Sequence, residues 1–309
     1  MIRGPSYRAL HRANKLAERV AEAVDLLTSC TVCPRMCSVN RRAGEQGFCR
    51  TGRRASVASR GAHFGEESPL VGRLGSGTIF FSSCNLLCSF CQNDDISHGG
   101  AGGEVGPETL ADMMLSLAGQ GCHNINLVTP THVVPQILEG LLLAASRGLE
   151  IPLVYNCGGY ESLETLKILD GVVDVYMPDF KFWDNDWARY ACGVSDYREH
   201  ACRALKEMHR QVGDLVLAED GTALRGLLVR HLVMPGDVAG TEKVMEFIAR
   251  EISRETYVNI MDQYRPCHDA LGDPVLGRRI TGAEYARASA AAEAAGLRRL
   301  DGRRRLRPV

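Results

Sequence analysis

The feature of this sequence that most constrains its fold is an alternation of short apolar runs with stretches of helical spacing, which begins near Gly77. Short apolar runs bounded by turn signals are typical of buried strands, and apolar residues three and four positions apart are typical of helices. Pro107 starts one of these helices in the manner of an N1 proline. The predicted strands are 78–81, 124–128, 151–155, 173–177, 226–233 and 257–261. The other predicted helices are near 133–147, 162–168, 198–212, 241–253 and 281–296.

Strand and helix units at this spacing imply parallel strands that are joined by right-handed crossovers. Six such units are too few for a closed barrel of eight strands. We therefore predict an α/β fold whose architecture is an open or partial (β/α)6 barrel. A doubly wound sheet is the alternative, because spacing alone does not separate the two.

The chain divides into three predicted parts. Residues 1–75 begin with an amphipathic helix and continue, from residue 30, as a loop-rich segment with several cysteines. The apolar residues of that helix are Leu10, Ala13, Leu16, Val20, Val24 and Leu27. Residues 76–270 form the α/β core, in which the Gly-rich run 99–106 is predicted as a flexible loop. Residues 271–309 form an Ala-rich helix and a basic tail.

Composition is that of a soluble globular protein, with 45% hydrophobic and 24% charged residues among 309. No apolar window of ~18 residues is present for a membrane span, and the N-terminus has no apolar signal region. Twelve cysteines in such a chain indicate metal or redox chemistry in a reducing cytoplasm rather than disulfides. Scattered cysteines are most often small buried hydrophobes, and here these are Cys122, Cys157, Cys192, Cys202 and Cys267.

Three cysteines directly follow the first predicted strand, in the spacing Cys84-x3-Cys88-x2-Cys91. Three thiolates on one loop can bind three corners of a [4Fe–4S] cluster and leave the fourth iron open to a substrate or cofactor. A structural zinc ion needs a fourth protein ligand, for which His98 is the nearest candidate. Unrelated buried thiols are the remaining alternative.

The run CNLLCSFCQN, with Phe90 directly before the third cysteine, resembles the cluster-binding loop of the radical S-adenosylmethionine (SAM) superfamily. Within that superfamily it is similar to members related to the pyruvate formate-lyase activating enzyme, over about residues 76–268. The resemblance implies an oxygen-sensitive enzyme with a [4Fe–4S] cluster held by Cys84, Cys88 and Cys91. It further implies that SAM binds the open iron and is cleaved reductively to methionine and a 5′-deoxyadenosyl radical, which abstracts hydrogen from a substrate.

The same resemblance implies partners. An electron donor such as a flavodoxin or ferredoxin would reduce the cluster. A protein substrate is implied if the chain is a glycyl-radical-enzyme activase, which removes a hydrogen from a glycine Cα of its partner. A small-molecule substrate is an open alternative, because no sequence feature marks a groove for a peptide.

Functional groups of parallel barrels lie at the carboxyl ends of the strands. The candidates for catalysis are Asp179, Lys181 and Arg230, where Pro178-Asp179-Phe180-Lys181 resembles the Asp-x-Lys segment of the activating enzymes. The candidates for cofactor contact are Phe90, Thr129, Thr131, Asn156, Gly158, Gly159 and Tyr264. The chain departs from the family at Thr129-Pro130-Thr131-His132, where a Gly-Gly-Glu-like segment is usual, and at Gln263-Tyr264, where a His is usual.

A second group of cysteines precedes the core, in the spacing Cys30-x2-Cys33-x3-Cys37-x11-Cys49. Four thiolates can close a structural zinc site or hold an auxiliary iron–sulfur cluster. The segment resembles the N-terminal Cys-Pro motif of uncharacterised radical SAM proteins related to the activating enzymes. We expect a bound metal here, with free or redox-pairing thiols as the alternative.

The function predicted from these features is that of a radical SAM enzyme. The alternative is a non-catalytic iron–sulfur or zinc protein for electron transfer or nucleic-acid binding, since the first sixty residues are basic. That alternative leaves the three-cysteine loop and the six strand–helix units unexplained. We therefore expect neither a nucleic acid nor a membrane as a partner.

Overall fold

The computed structural model describes residues 4–302, which fold around one mixed sheet. Its strands are β1 (Ala55–His63), β2 (Ser76–Phe81), β3 (Gly103–Val105), β4 (Ile125–Val128), β5 (Leu153–Cys157), β6 (Val175–Pro178), β7 (Val216–Leu217), β8 (Ala223–Leu232), β9 (Tyr257–Met261) and β10 (Arg299–Leu300). The order across the sheet is β10-β9-β8-β6-β5-β4-β2-β1-β3, and β7 pairs with β8. The two ends of this path are not joined, so the barrel is open.

The six predicted strands are confirmed as β2, β4, β5, β6, β8 and β9, with bounds shifted by a few residues. Each pairs in parallel with the next of the six. Strands β5 and β6 are buried along their whole length, as expected where a parallel sheet is covered on both faces. The α/β fold with an open, mostly parallel barrel is therefore confirmed.

Helices connect the strands. They are α1 (Ser6–Arg12), α2 (Lys15–Asp25), α3 (Ser68–Val71), α4 (Asp94–Ser97), α5 (Pro107–Gly119), α6 (Val134–Ser146), α7 (Leu163–Ile168), α8 (Asn185–Cys192), α9 (Tyr197–Val212), α10 (Thr241–Phe247) and α11 (Gly282–Ala295). Helix α5 begins at Pro107 as predicted, and α11 begins with a capping box between Thr281 and Glu284. No helix in the described range is long and apolar enough to cross a membrane.

The N-terminal segment differs from its prediction in two ways. The amphipathic helix is two helices, because Asn14 between them adopts a left-handed backbone with φ of 58°. Helix α1 packs on the core, where the hydroxyl of fully buried Tyr7 donates to the Ile151 carbonyl at 3.0 Å. The stretch after residue 30 is not all loop, since β1 joins the sheet antiparallel to β2.

Three further elements correct the sequence reading. The Gly-rich run 99–106 contains β3, which pairs with β1 and is therefore not simply a flexible loop. Helix α8 was not predicted. The predicted helix 241–253 is α10 followed by a π-helical turn at Ile248–Ile252.

Candidate active site

The loop that follows β2, residues 82–93, carries the three-cysteine motif and is called the cysteine loop below. Cys84, Cys88 and Cys91 all line one cavity of about 190 Å³ at the carboxyl edge of the parallel strands. The loop turns through left-handed backbone at Ser83 and Leu87, with φ of 70° and 50°. Those turns bring three thiols from eight residues of chain to one side.

Each outer thiol of the cysteine loop has a hydrogen-bond donor. The Leu86 N–H donates to Cys84 Sγ at 3.3 Å, and the Ser97 hydroxyl donates to Cys91 Sγ at 3.1 Å. Burial raises the pKa of the Cys84 thiol to about 12. A thiol in this setting becomes a thiolate only when a bound cation stabilises it, as a metal or cluster does.

The cysteine loop carries three thiols that line the cavity and no fourth. The amide nitrogen of Asn85 donates to the Tyr160 carbonyl at 2.9 Å, and its oxygen accepts from the Cys84 thiol at 3.9 Å. His98, the nearest candidate for a fourth zinc ligand, does not line the cavity, and its Nδ1 lies 3.0 Å from the Ser97 hydroxyl. Three thiols around an open cavity fit a [4Fe–4S] cluster with one free iron.

Phe90, the residue before the third cysteine, forms part of the cavity wall. Its ring meets Phe182 edge to face, with ring centroids 5.8 Å apart, and is 4% exposed. This packing anchors the cysteine loop on the segment that follows β6. An aromatic wall of this kind excludes water from the cavity.

A compact set of charges faces the cysteine loop across the cavity, formed by Asp179, Lys181 and Arg230 and called the ion triad below. Asp179 Oδ2 accepts from Lys181 Nζ at 2.7 Å, and its Oδ1 accepts from Arg230 Nε at 3.0 Å. Burial opposes the charge on Asp179, but the two cations outweigh it and hold the pKa of that carboxyl below its usual range. Burial likewise opposes the charge on Lys181, and Asp179 outweighs it, so the pKa of Lys181 lies well above its usual value. The triad is therefore fully ionised at neutral pH.

The Gly pair after β5 has two separate roles. Gly158 lines the cavity, and a Cβ there would lie 2.7 Å from Leu86 of the cysteine loop, so glycine lets that loop approach β5. Gly159 does not line the cavity. Its φ is +78°, and a Cβ would lie 2.3 Å from the Asp179 carbonyl, so it permits the close contact of two strand ends.

Of the other residues predicted to contact the cofactor, two line the cavity and two do not. Asn156 and Thr129 line the cavity. Thr131 is buried outside it, because its hydroxyl donates to Glu161 Oε1 at 2.7 Å. Tyr264 also lies outside the lining, since its hydroxyl donates to the Leu276 carbonyl at 2.8 Å and its ring packs near Phe90. Gln263 is the one of the Gln263–Tyr264 pair that reaches the cavity.

Three neighbours of the site were not predicted. Cys192, at the end of α8, lies 3.3 Å from Cys88, sulfur to sulfur. Cys157 ends β5 and lines the cavity. Beneath the cavity, Glu161 is buried and accepts from Tyr155, and burial raises its pKa to about 7. The sequence gives no indication of a role for these residues, because Cys157 and Cys192 belong to no closely spaced group of cysteines and Glu161 is part of no recognised motif.

The four N-terminal cysteines, Cys30, Cys33, Cys37 and Cys49, are called the quartet below. They line one small pocket together with Arg41, Phe48 and His132. All are free thiols, and three of the four are buried. Within residues 4–302, no three or more His, Cys, Asp or Glu side chains are arranged to hold a single metal ion. The quartet thus shares a pocket, and its thiols would have to turn toward one another to bind a single ion. A four-iron cluster, in which each thiolate binds its own iron, does not require them to meet at one point.

Comparison with known proteins identifies the family of the chain. The model of the Radical SAM superfamily matches residues 78–248, which is more than half of the chain and contains the cysteine loop and most of the parallel strands. Uncharacterized protein MJ0674 of Methanocaldococcus jannaschii is 33% identical over 292 residues, which cover 91% of this chain and 79% of that protein. The crystal structure of methylornithine synthase (PylB) covers 75% of this chain and 74% of its own, with a TM-score of 0.45 and 13% identity. Because the family match covers more than half of the chain, including the cysteine loop and five of the six parallel strands, the chain belongs to the radical SAM superfamily.

Proposed function

We propose that this chain is an enzyme that cleaves SAM reductively at a [4Fe–4S] cluster held by Cys84, Cys88 and Cys91. The observation that carries the proposal is that the three thiols of the cysteine loop open into a cavity that also contains the ion triad. When bound, the cluster supplies the electron that breaks the SAM sulfonium bond to give methionine and a 5′-deoxyadenosyl radical, which abstracts hydrogen from the substrate.

The remaining residues of the cavity bind and orient. Arg230 and Lys181 offer cationic donors for the SAM carboxylate and hydroxyl groups, while Asp179 holds both side chains in place. Asn156 and Thr129 supply polar contacts at neighbouring strand ends. Phe90 covers the cysteine loop and keeps water from the reacting centre.

The narrower proposal is a glycyl-radical-enzyme activase. It is supported by the resemblance of CNLLCSFCQN to the loop of the activating enzymes. In this role a flavodoxin or ferredoxin donates the electron, and the substrate is a glycine Cα of a partner protein. All twelve cysteines are free thiols, which suits the reducing cytoplasm that the proposal assigns. A glycyl radical signal on a partner protein, detected by electron paramagnetic resonance (EPR), would test this role.

The proposal also includes a metal centre at the quartet, either zinc or a second iron–sulfur cluster. It is supported by the shared pocket of the four thiols and by the donation of the Phe48 N–H to Cys37 Sγ at 3.4 Å. Thiolate ligands commonly accept such backbone hydrogen bonds. Analysis of zinc, iron and sulfide in the purified protein distinguishes the two metals.

The experiment that tests the main proposal is anaerobic. The protein is reconstituted with iron and sulfide, reduced, mixed with SAM and assayed for 5′-deoxyadenosine. We expect product from the parent and from the control C202A, whose cysteine lies on α9 outside the cavity. We expect none above background from C84A, C88A or C91A. Full turnover in C88A, or no product from a parent sample with a reducible cluster, would contradict the proposal.

A further inference from the structure

Arg35, in the quartet segment, is bound to the far side of the cysteine loop. Its Nε donates to the Asn85 carbonyl at 2.9 Å. Its other two nitrogens donate to the carbonyls of Cys192 and Gly193, each at 2.9 Å. The guanidinium also stacks over the Phe48 ring, 3.6 Å from its centre. A planar fork of donors thus fastens the cysteine loop to the carboxyl end of α8.

The position of Arg35 depends on the quartet. It lies in the turn between Cys33 and Cys37, where the Met36 N–H donates to the Cys33 carbonyl at 3.1 Å. Two ligands of one metal centre would therefore flank Arg35 on both sides of a tight turn. Binding of a metal by the quartet would fix that turn and, with it, the guanidinium that holds the cysteine loop.

A second arginine indicates that the quartet pocket takes an anionic occupant. Arg41 lines that pocket and is 1% exposed. Its Nε donates to the Gly52 carbonyl at 3.1 Å, and its NH1 donates to the His132 carbonyl at 2.8 Å and lies 3.8 Å from Cys30 Sγ. Its NH2 is buried without a hydrogen-bond partner among the residues described. These contacts are to carbonyls and a thiol, none of which balances the permanent charge of Arg41.

A buried guanidinium is costly unless a negative charge lies next to it. Cysteines bind metals as thiolates. Four thiolates outweigh the two positive charges of a zinc ion or of an oxidised [4Fe–4S] core, so either centre at the quartet carries net negative charge. Such a centre is the counter-charge that Arg41 requires.

We propose that the quartet forms an anionic metal–thiolate centre whose charge Arg41 balances, and that this centre positions the cysteine loop through Arg35. The second part rests on the proposed function, because it concerns the cluster assigned to that loop. Arg35 is a positioning residue in this scheme and contacts neither SAM nor substrate. The two metal centres are thereby coupled: loss of the quartet metal loosens the loop that holds the catalytic cluster.

The test compares four variants of the reconstituted full chain without SAM: C49S, R35Q, R35K and R42Q. Cys49 belongs to the quartet but does not flank Arg35 in sequence, so C49S changes the metal and not the turn. Arg42 is the matched control, because its half-exposed side chain pairs with Asp25 on the surface. The measurements are zinc, iron and sulfide per chain, the rate of iron release to a chelator, and the EPR spectrum of the reduced cluster.

We expect the parent to hold either zinc or additional iron beyond one [4Fe–4S] cluster. C49S should lose that second metal and release the remaining iron several-fold faster. R35Q should keep the second metal, yet release iron several-fold faster and change the EPR spectrum, with R35K between R35Q and the parent. R42Q should match the parent in all three measurements.

Parental metal content in C49S would overturn the second centre. Parental iron release and an unchanged EPR spectrum in R35Q would overturn the coupling, and R35Q serves this purpose even if C49S does not fold. The triple variant C84A/C88A/C91A should keep the second metal, which locates it at the quartet. Failure of the parent to cleave SAM would overturn the proposed function without changing these readings, so the two failures are distinguishable.

Discussion

The thiol of Cys192 donates a hydrogen bond to the sulfur of Cys88 across 3.3 Å, where the carboxyl end of α8 meets the cysteine loop. Both residues are buried, at 3% and 7% exposure. Hydrogen bonds to cluster sulfurs raise the reduction potential, because they stabilise the more negative reduced state. Cys192 is therefore placed to tune the cluster that we propose at Cys84, Cys88 and Cys91.

We expect C192A to lower the midpoint potential of that cluster. A single weak donor should contribute less than a tenfold change in the reduction equilibrium, which is about 59 mV for a one-electron couple. Redox titration followed by EPR measures the shift. The control is C122A, which removes a buried thiol outside the cavity lining. Equal potentials in C192A and the parent would show that the contact does not tune the cluster.

Replacement of Asp179 should damage both stability and SAM binding. In D179N Lys181 loses its carboxylate while it stays about four-fifths buried. Arg230 loses the same carboxylate and keeps only its pairs with Glu66 and Glu67, at 3.3 and 4.0 Å. Breaking a buried ion pair in this way destabilises a protein by about 3–5 kcal/mol. Denaturant unfolding measures the loss, and equilibrium SAM binding by the reconstituted protein measures the effect on affinity.

The matched control for D179N is D186N, because Asp186 pairs with Arg189 on the surface and is 81% exposed. It should change stability by less than about 0.5 kcal/mol. A D179N protein as stable as D186N would mean that the triad does not depend on its carboxylate.

Glu161 should make the protein less stable as the pH rises. Burial raises its pKa to about 7 in the folded protein, although Thr131 and Tyr155 donate to it, and its usual value is 4.5. A raised carboxyl pKa means that the folded state holds a proton that the unfolded state has released. Its contribution is fully present below pH 4.5, falls as the pH rises, and is lost above about 7. The difference between the two pKa values corresponds to about 3 kcal/mol.

The variant E161Q carries no titrating group at this position and should lack that part of the slope between pH 5 and 8. Buried His132 and His231 have pKa values lowered to about 4 by burial and give a slope of opposite sign below pH 6.5. The comparison is therefore the difference in unfolding free energy between E161Q and the parent at each pH. E164Q, which changes an exposed glutamate nearby, is the control. If the difference in unfolding free energy between E161Q and the parent did not vary with pH, Glu161 would not be a source of the pH dependence of stability.

The parallel strands could be predicted because burial on both faces requires continuous apolar runs, as in Leu153–Cys157. Strand β1 was not predicted, because it has no continuous apolar run. Its sequence, ASVASRGAH, mixes Ser, Arg, Gly and His, since most of its second half is exposed. The break between α1 and α2 could not be predicted either, because the helical spacing of apolar residues continues across Asn14. The left-handed backbone at Asn14, which separates the two helices, leaves no mark on that spacing.

The site was partly predictable for a similar reason. Strand ends identify which residues reach the carboxyl edge, and Asn156, Asp179 and Arg230 do line the cavity. They do not identify which way a side chain turns. The hydroxyls of Thr131 and Tyr264 donate to buried acceptors, the Glu161 carboxylate and the Leu276 carbonyl, so neither side chain lines the cavity.

The contacts of Arg35 join positions 50 and 157 residues apart. Spacing along the chain carries no information about such contacts, which come from the packing of the quartet segment against the finished barrel. The same is true of Cys88 and Cys192, which are 104 residues apart. Sequence thus predicts Cys84, Cys88 and Cys91 as ligands of a cluster, whereas the residues that contact their loop emerge only from the fold.

The last prediction separates backbone freedom from close packing at Gly159. Both Gly159 and Gly148 have left-handed backbone, with φ of +78° and +93°. A Cβ at Gly148 would meet nothing within 4 Å, whereas one at Gly159 would lie 2.3 Å from the Asp179 carbonyl. G148A should therefore cost only the left-handed strain of alanine, about 1–2 kcal/mol.

G159A adds a clash with the strand end that carries the ion triad, and overpacking of this kind costs a further 1–3 kcal/mol, roughly. Because the clash is with the backbone of Asp179, relief of it should displace that carboxylate and weaken SAM binding, whereas G148A should bind SAM like the parent. Thermal unfolding and equilibrium SAM binding of the two variants measure the two effects. Equal stability and equal affinity in G159A and G148A would mean that β5 and β6 can separate at this edge without disturbing the triad, and that Gly159 is required only for its backbone angle.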